Sequence, residues 1–267
     1  MSIRSWLSEP RVRSVDVNSP ELIEVHREIL ASKPMMRSVF RDIYDACMGA
    51  DRRYFSGDGL RVEVGAGVSL IKEYYPDVIA TDIKPSRNID QVVDALAMPF
   101  EAGSVRAIYG LNCFHHLRDP DRFFTELERV LVPGGGCILI EPYYGLFARW
   151  VYTRLFDTEG YDLDQVSWEA SGEVGVMRGA NQALSHVVFV RDRELLRTRH
   201  PGLELVGLRP LRCYQRYLLS GGLNFRQLLP SATIGLLKLS ERVAAPVAPA
   251  LALHHMIVLR KRAQPTG

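Results

Sequence analysis

A short apolar segment that runs directly into a glycine turn constrains this chain more than any other feature. Residues 61–67 read Arg-Val-Glu-Val-Gly-Ala-Gly, a strand-like run followed by two glycines one residue apart. Glycine adopts positive φ readily and lets a ligand approach the main chain closely. A strand, a glycine turn and a helix form the first unit of nucleotide-binding α/β folds. The usual dinucleotide fingerprint has a third glycine, but Ser69 and Leu70 occupy this part of the chain.

The residues after this turn alternate between strand-like and helix-like patterns. Further strands are predicted at 77–82, from 91, at 105–111 and at 137–140. The last two are separated by a helix that Asp119 caps, with apolar residues at helical spacing: Phe123, Phe124, Leu127, Val130 and Leu131. Strands that alternate with helices over short connections predict a mostly parallel sheet covered by helices on both faces.

The predicted core, residues 59–144, is flanked by segments of different character. Residues 1–58 contain two helical patterns, the second beginning at Pro34. Residues 145–200 lose the regular alternation and are rich in Trp, Tyr, Arg and Gly, so we expect an inserted helical lid there. Residues 201–267 are expected to complete the sheet, with two more strands at 203–208 and 255–260 around a helical stretch.

Charge and cysteine usage argue against several classes of protein. The 33 Lys and Arg against 31 Asp and Glu give a net charge of +2, far from the basic excess typical of nucleic-acid-binding proteins. The four cysteines form no CxxC pair, so neither a zinc site nor a disulfide framework is predicted. The N-terminus has no apolar signal segment, and no window reaches the ~18 apolar residues of a membrane span. We therefore expect a cytoplasmic protein without a metal ion.

Acids and amides stand near the carboxyl end of each predicted core strand: Glu63, Asp82, Asp94, Asn112 and Glu141. Ligands of open parallel sheets bind beyond this edge. A diphosphate favours open glycines and a helix N-terminus with few acids nearby. A ligand with ribose hydroxyls, an amine and an ammonium group instead favours hydrogen-bond acceptors of this kind. S-adenosylmethionine (SAM) is such a ligand.

The stretch from Arg61 to Tyr144 resembles class I SAM-dependent methyltransferases, in the broad bacterial (type 11) subgroup that includes the quinone C-methyltransferases. The resemblance rests on five segments in order: 62–67, 80–83, 94–100, 112–120 and 131–136. It implies a Rossmann-like fold with a mostly parallel seven-stranded sheet, helices on both faces and an inserted helical lid. It also implies SAM as methyl donor and S-adenosyl-L-homocysteine as product.

The resemblance further implies a set of cofactor-binding residues: Glu63, Gly65, Ala66, Gly67, Asp82, Ile83, Asp94, Ala95, Asn112 and Cys113. The two glycines would give backbone room for the methionine part of SAM, and Asn112 would lie beside it. Asp82 would accept the ribose hydroxyls and Asp94 the adenine amine. Glu63 would order the loop or reach the ammonium group through water.

Methyl transfer from a sulfonium is an in-line displacement, so the protein must chiefly align the acceptor and exclude water. A general base is needed mainly when the acceptor is a hydroxyl. The candidates for a base or orienting group are Glu141, His116 and His186. The histidines also have structural interpretations, namely loop hydrogen bonding for the His115-His116 pair and core packing for His186.

The acceptor side is less constrained, and its candidate binding residues are Tyr143, Tyr144, Arg149 and Arg178. Residues 197–226 contain six arginines but only one acid, Glu204. They indicate either a solvated surface or contact with an anionic substrate or membrane. We expect an anionic or hydroxylated acceptor, either a small molecule or one linked to sugar or lipid. Nucleic acid and a transmembrane segment are not expected, and residues 228–253 are a candidate for peripheral membrane contact.

Two alternatives remain at this point. One is a non-catalytic SAM-binding protein of the same fold. The other is an NAD-dependent oxidoreductase, which would need the third glycine and would leave Glu63 and Asp94 without a role. The observation that discriminates is whether Asp82 and Asp94 lie along one cleft beside Gly65.

Overall fold

A single seven-stranded sheet organises the part of the chain that the computed structural model describes, residues 6–13, 15–16, 19, 21–68, 70–156, 159–169 and 180–263. Strands β1 to β7 span Leu60–Val64, Ile79–Asp82, Gln91–Val92, Val105–Leu111, Leu131–Pro142, Leu203–Pro210 and His254–Lys261. Their order across the sheet is β3-β2-β1-β4-β5-β7-β6. Strands β1 to β5 are parallel, whereas β7 is antiparallel to both β5 and β6. The strand order reverses between β1 and β4, which makes that edge the switch point where ligands bind.

The helices lie between and beyond these strands. Helices α1 to α9 span Glu21–Ala31, Pro34–Tyr54, Ile71–Tyr74, Pro120–Val130, Leu146–Arg154, Arg193–Arg199, Tyr214–Ser220, Ile234–Val243 and Ala248–Leu251. A helical turn at Leu184–His186 continues as a π-helical turn at Val187–Arg191 before α6. Asp119 caps α4 as predicted, because its side chain accepts a hydrogen bond from the Arg122 amide at 2.9 Å.

The two faces of the sheet are covered by different helices. On one face Ile108 and Leu139 pack with Phe123 and Leu127 of α4. On the other face Ala107, Tyr109, Ile138 and Ile140 pack with the buried side of α2, formed by Val39, Ile43, Tyr44 and Cys47. Neighbouring residues of one strand therefore face opposite helical layers, as the period of a β-strand requires. The predicted architecture, a mostly parallel seven-stranded sheet between helical layers, is confirmed.

Strand β5 differs from its predicted extent, since it begins at Leu131 and includes Pro133-Gly134-Gly135-Gly136. The pairing with β4 shifts in register between Val105 and Ala107, so this proline–glycine segment bulges within the strand. Gly136 lies against the Phe55 ring, where an added Cβ would come within 2.2 Å of a ring carbon. The glycines thus permit close packing inside the strand, where the sequence indicated a break.

Segments outside the core dock on one another beyond the carboxyl ends of the strands. Lys33, between α1 and α2, donates to the carbonyls of Gly222 (2.9 Å) and Phe225. Arg216 of α7 is buried and pairs with Glu241 (2.7 Å) and Asp42 (2.5 Å). This arginine of the basic 197–226 segment therefore holds helices together and is not a contact for an anionic substrate.

None of the helices in the described residues has both the length and the apolar character needed to cross a bilayer.

Candidate active site

The glycine turn after β1 is fixed to the end of β2 by Asp82. Gly65 and Gly67 have φ of 65° and 51°, the left-handed region that favours glycine. The Gly67 amide donates to Asp82 Oδ2 at 2.8 Å, and the Lys84 amide donates to Asp82 Oδ1 at 2.8 Å. The Ala66 amide donates to the Thr81 carbonyl at 2.8 Å. The half-buried carboxylate of Asp82 is thereby held beside the turn, and each of its oxygens has a further lone pair for a ligand hydroxyl.

The same turn is packed against the end of β4. A Cβ added to Gly65 would lie 2.5 Å from Cys113 Sγ, so only glycine fits there. The preceding residue, Asn112, has φ of 48°, a conformation that asparagine tolerates better than most residues. Its amide donates to the Ile140 carbonyl at 2.8 Å. These contacts bring Asn112 and Cys113 next to the glycine turn.

Asp94 follows on the other side of Asp82. The Val93 amide donates to the carbonyl of Asp82, the last residue of β2, at 2.9 Å. Asp94 is the next residue along the chain after Val93, so it lies close to the end of β2. The Asp94 side chain is exposed, and its Oδ1 accepts a hydrogen bond from the Leu96 amide at 2.8 Å. The side chain of Ile83 is half exposed, whereas Ala95 is buried. We call Gly65, Gly67, Asp82 and Asp94 the cofactor rim.

Glu63 lies beneath the turn and is buried inside β1. The Tyr44 hydroxyl of α2 donates to Glu63 Oε1 at 2.9 Å. The Thr81 hydroxyl donates to the Glu63 carbonyl at 2.8 Å. These contacts link α2, β1 and β2 under the turn, which fits a residue that orders the loop.

A cavity of about 210 Å³ opens beyond the ends of β4 and β5. Its lining combines strand ends (Leu111, Asn112, Ile140, Pro142), α1 and α2 (His26, Met36, Phe40, Ile43), the segment after β4 (His115, His116), the lid (Tyr152, Phe156, Glu159, Gln182) and C-terminal residues (Tyr217, Leu223, Asn224, His254). We call it the histidine cavity, because four of the seven histidines of the chain line it. Among these described lining residues there is neither lysine nor arginine.

His115 lies at one wall of this cavity between two carboxylates. Its Nδ1 is 2.5 Å from Glu141 Oε2, and its Nε2 is 3.2 Å from Glu159 Oε2. Burial lowers the pKa of His115, but the charge of Glu141 and hydrogen bonds to both carboxylates raise it further, to about 10. The ring is therefore protonated on both nitrogens at neutral pH and donates to both acids. In this state His115 is not a proton acceptor.

Glu141 is fully buried at the end of β5, and its hydrogen bonds explain why a carboxylate is tolerated there. Its Oε1 accepts hydrogen bonds from the amides of Cys113 (3.0 Å) and Phe114 (2.8 Å). Its Oε2 receives the His115 ring. Glu141 does not line the cavity, so this geometry does not support the expected contact between Glu141 and an acceptor. It positions the segment that carries the histidine pair.

Glu159, which the sequence did not single out, stands opposite the histidine pair. Its Oε1 is 3.8 Å from His116 Nε2, and both side chains are half-buried at the cavity wall. Burial raises the pKa of Glu159, but hydrogen bonding to His115 lowers it below the ordinary value. Glu159 lies 44 residues after His115, in a segment without regular periodicity, so spacing gives no signal for this contact. Sequence spacing likewise gives no signal that His26 and His254 line the cavity, and His254 was interpreted as structural.

Four further expected site residues within the described part of the chain lie apart from the cavity lining. His186 is half-buried with its ring 4.7 Å from that of Tyr144, and burial lowers its pKa. Tyr143 is buried and packs at 4.5 Å from the Tyr144 ring. Arg149 is exposed on α5. Arg178 lies outside the described residues.

Comparisons with known proteins identify sequences and structures that are similar to parts of this chain. Residues 62–139 match the family model described as a methyltransferase domain. Over 50 residues the chain is 40% identical to the chloroplastic tocopherol O-methyltransferase of Arabidopsis thaliana, which covers 19% of this chain. The chain thus spans only 14% of the length of that curated relative.

Solved structures with a similar arrangement are distant in sequence. Geranyl diphosphate C-methyltransferase from Streptomyces coelicolor A3(2) is 12% identical, with 96% of this chain and 92% of that chain covered and a TM-score of 0.47. Phosphoethanolamine N-methyltransferase 2 from Haemonchus contortus is 12% identical, with 99% and 60% covered and a TM-score of 0.45. At this distance neither structure bears on the acceptor of this chain.

Residues 62–139 thus resemble a methyltransferase domain, and the described strands form a Rossmann-like α/β sheet. SAM is the methyl donor of the class I methyltransferases that the sequence resembles. The cofactor rim fits SAM, since a half-buried carboxylate is fixed beside a left-handed glycine turn and an asparagine follows the next strand. The membership of the quinone C-methyltransferase subgroup stays a prediction.

Proposed function

We propose that this protein transfers the methyl group of SAM to a small hydroxylated acceptor held in the histidine cavity. One observation carries the proposal: the Gly67–Asp82 contact and Asn112 lie along the same edge of the sheet, and Asn112 also lines the cavity. A cofactor site and an acceptor site thus meet at the ends of β1 and β4. In-line transfer requires the two reactants to be adjacent in this way.

The residues that would hold SAM follow from the rim. Asp82 would accept the two ribose hydroxyls with the lone pairs that the backbone amides leave available. Asp94 would accept from the adenine amine, with Ile83 and Ala95 beside it. The glycine turn, Asn112 and Cys113 would contact the methionine portion. When bound, SAM supplies a methyl carbon that is activated by the neighbouring sulfonium.

The acceptor is proposed from the lining of the cavity. Amide side chains of Asn112, Gln182 and Asn224 offer both donors and acceptors, and aromatic rings of the lid and α7 supply apolar contact. Without a lysine or arginine among the described lining residues, a hydroxylated acceptor is favoured over an anionic one. A volume of about 210 Å³ is below the usual range of ligand pockets, so the reacting part of the acceptor is small.

Of the three candidate catalytic residues only His116 lines the cavity, so we assign contact with the acceptor to His116. Glu141 acts through the segment that it anchors, and His186 packs against Tyr144 outside the lining. We further propose a division of labour along the chain. Residues 59–144 bind the cofactor, while residues 1–58, 145–200 and 201–267 each contribute to the walls around the acceptor.

A peripheral contact with lipid is also proposed, from the surface of α8. Leu236, Leu239 and Val243 are 69%, 56% and 75% exposed, and their spacing places them on one face of the helix. Arg242 is exposed on the same helix, and the one acid of α8, Glu241, is buried against Arg216. An apolar stripe on a helix with an exposed arginine suits an anionic bilayer surface.

Calorimetric titration with S-adenosylhomocysteine tests the cofactor site. Asp82→Ala is expected to weaken binding at least tenfold, because two hydrogen bonds to a charged group are lost. Asp77→Ala is the matched control, since Asp77 is an exposed acid near the opposite end of the same strand and its loss leaves binding unchanged. Wild-type protein that releases no heat with this ligand would refute the proposal.

Turnover is tested separately, which distinguishes an enzyme from a non-catalytic binding protein. Cell extract is incubated with the protein and SAM carrying an isotopically labelled methyl group, and labelled products are identified by mass spectrometry. A labelled small hydroxylated compound is expected. Labelled nucleic acid or protein would contradict the proposed acceptor, and binding without any labelled product would favour the non-catalytic alternative.

A further inference from the structure

We propose that His115, His116 and Glu159 bind one divalent transition-metal ion of the zinc class in the histidine cavity. The inference deepens the proposed function and rests on it, since the metal would lie where the acceptor enters. One ligand atom of each residue lies within 4.8 Å of the other two. His115 Nε2 and Glu159 Oε2 are 3.2 Å apart, and His116 Nε2 and Glu159 Oε1 are 3.8 Å apart.

These separations suit tetrahedral coordination. Metal–ligand bonds of about 2.1 Å place tetrahedral ligand atoms about 3.4 Å from one another. The two separations, one to each oxygen of Glu159, lie on either side of that value, and one set of ligand atoms lies within 4.8 Å, so small rotations of the side chains would bring all three to an ion. A site of two imidazoles and one carboxylate suits zinc and similar ions better than magnesium or calcium, which take oxygen ligands.

Glu141 supplies the second observation that points to a ligand. Metal-binding histidines commonly donate their other ring nitrogen to a carboxylate, which fixes the orientation of the ring. Glu141 Oε2 is 2.5 Å from His115 Nδ1, and Glu141 is itself held by the amides of Cys113 and Phe114. The ring of His115 is therefore oriented in advance, with Nε2 directed towards Glu159. A fully buried acid serving one histidine in this way is typical of the surroundings of a metal site.

The coordination set leaves a position for the acceptor. Three protein ligands with one open position are characteristic of catalytic rather than structural zinc sites. A cation here would lower the pKa of an acceptor hydroxyl. The hydroxyl proton passes to water, and the oxygen forms a bond to the methyl carbon. The carbon–sulfur bond breaks and its electron pair stays on sulfur, which leaves neutral S-adenosylhomocysteine.

The test measures zinc binding to the chelator-treated full chain in competition with a chromophoric chelator. Wild-type protein is expected to bind one zinc ion per chain, and His116→Ala and Glu159→Gln are each expected to weaken it at least tenfold. Cobalt substitution is expected to give the visible absorption of a tetrahedral site, and both variants lose it. His186→Ala is the control, since this histidine lies outside the cavity lining and its loss leaves affinity unchanged.

Other results would overturn the metal site. The metal site is refuted if the wild type and the variants His116→Ala and Glu159→Gln have equal affinity for zinc. Cobalt spectra without tetrahedral absorption would refute it as well. Circular dichroism checks that the variants are folded, and titration with S-adenosylhomocysteine on the same samples separates the two proposals. Binding of S-adenosylhomocysteine without binding of zinc refutes only the metal site. Binding of zinc without binding of S-adenosylhomocysteine refutes the proposed function.

Discussion

Gly65 and Gly49 have opposite environments. The contrast shows how the effect of an added Cβ methyl group depends on its position. Gly65 has a positive φ, and an added Cβ would lie 2.5 Å from Cys113 Sγ. Gly49 lies inside α2, with no heavy atom within 4 Å of an added Cβ. One position is constrained by its backbone and by its neighbour, while the other is constrained by neither.

We expect Gly65→Ala to lower both the stability of the protein and its affinity for S-adenosylhomocysteine, by tenfold or more for binding. The strain at positive φ costs about 1 kcal/mol, and the contact with Cys113 adds to it. Gly49→Ala is the matched control and is expected to raise the free energy of unfolding by about 0.5–1 kcal/mol, since alanine favours a helix interior. Chemical denaturation and calorimetric titration measure both effects. Equal behaviour of the two variants would contradict the environment assigned to the turn.

His255 couples stability to pH at the residue scale. Its ring is fully buried in β7, with Nε2 2.8 Å from the Ser185 hydroxyl oxygen. Burial, together with the charges of the neighbouring His254 and His186, lowers its pKa to about 3. The rings of Tyr143 and Tyr144 also face it, at 5.6 and 5.7 Å.

The unfolded chain protonates this histidine near pH 6.5, whereas the folded chain does not until pH falls to about 3. The unfolded state therefore binds more protons in this window, so stability decreases as pH falls below 6.5. His255 contributes about 1.4 kcal/mol per pH unit to this loss. We expect His255→Gln to lose about 2 kcal/mol less than wild type between pH 6.5 and pH 5 in urea denaturation. Parallel stability curves for the two proteins would contradict the lowered pKa.

At the scale of the element, α8 presents an apolar stripe that its own packing does not use. The helix buries Leu237 and Glu241, so its inner side is occupied while Leu236, Leu239 and Val243 are exposed. We expect Leu236→Ser combined with Leu239→Ser to weaken binding to vesicles of phosphatidylglycerol and phosphatidylcholine about tenfold, because less apolar surface enters the bilayer. Co-sedimentation at rising salt measures both the apolar and the charged contribution.

Val166→Ser is the control for this experiment, because Val166 is 92% exposed and lies in the lid, outside α8. It is expected to leave vesicle binding unchanged. If the wild type does not bind vesicles, a lipid-binding role for α8 is contradicted. It is also contradicted if both variants reduce vesicle binding equally.

The sequence predicted elements well where their pattern is local and less well where contacts decide them. A strand occurs at each of the seven predicted places, and most of these strands are short apolar runs between turn residues. The start of β5 was placed six residues too late, at 137, since Gly134, Gly135 and Gly136 read as a break. Their place in the sheet depends on Phe55 and on a register shift in the pairing with β4, and neither leaves a mark on the local pattern.

At the scale of the whole molecule, the cofactor rim could be predicted from the sequence, whereas the histidine cavity could not. The cofactor rim comes from consecutive strand ends, and parallel topology alone predicts that Gly67 and Asp82 lie together, as they do. The histidine cavity is assembled from α1, α2, the lid and β7, which are far apart in the chain. Charge counting also misled, since Arg216 is neutralised by partners that no local pattern identifies.

The position of β7 has a consequence for how the chain reaches its native state. This strand leaves the ribosome after the other six, yet it is inserted between β5 and β6 and hydrogen-bonded on both sides. During synthesis the edges of β5 and β6 therefore await a partner until residue 261 has emerged. Nascent chains that pause before this point expose unpaired backbone that other strands readily join.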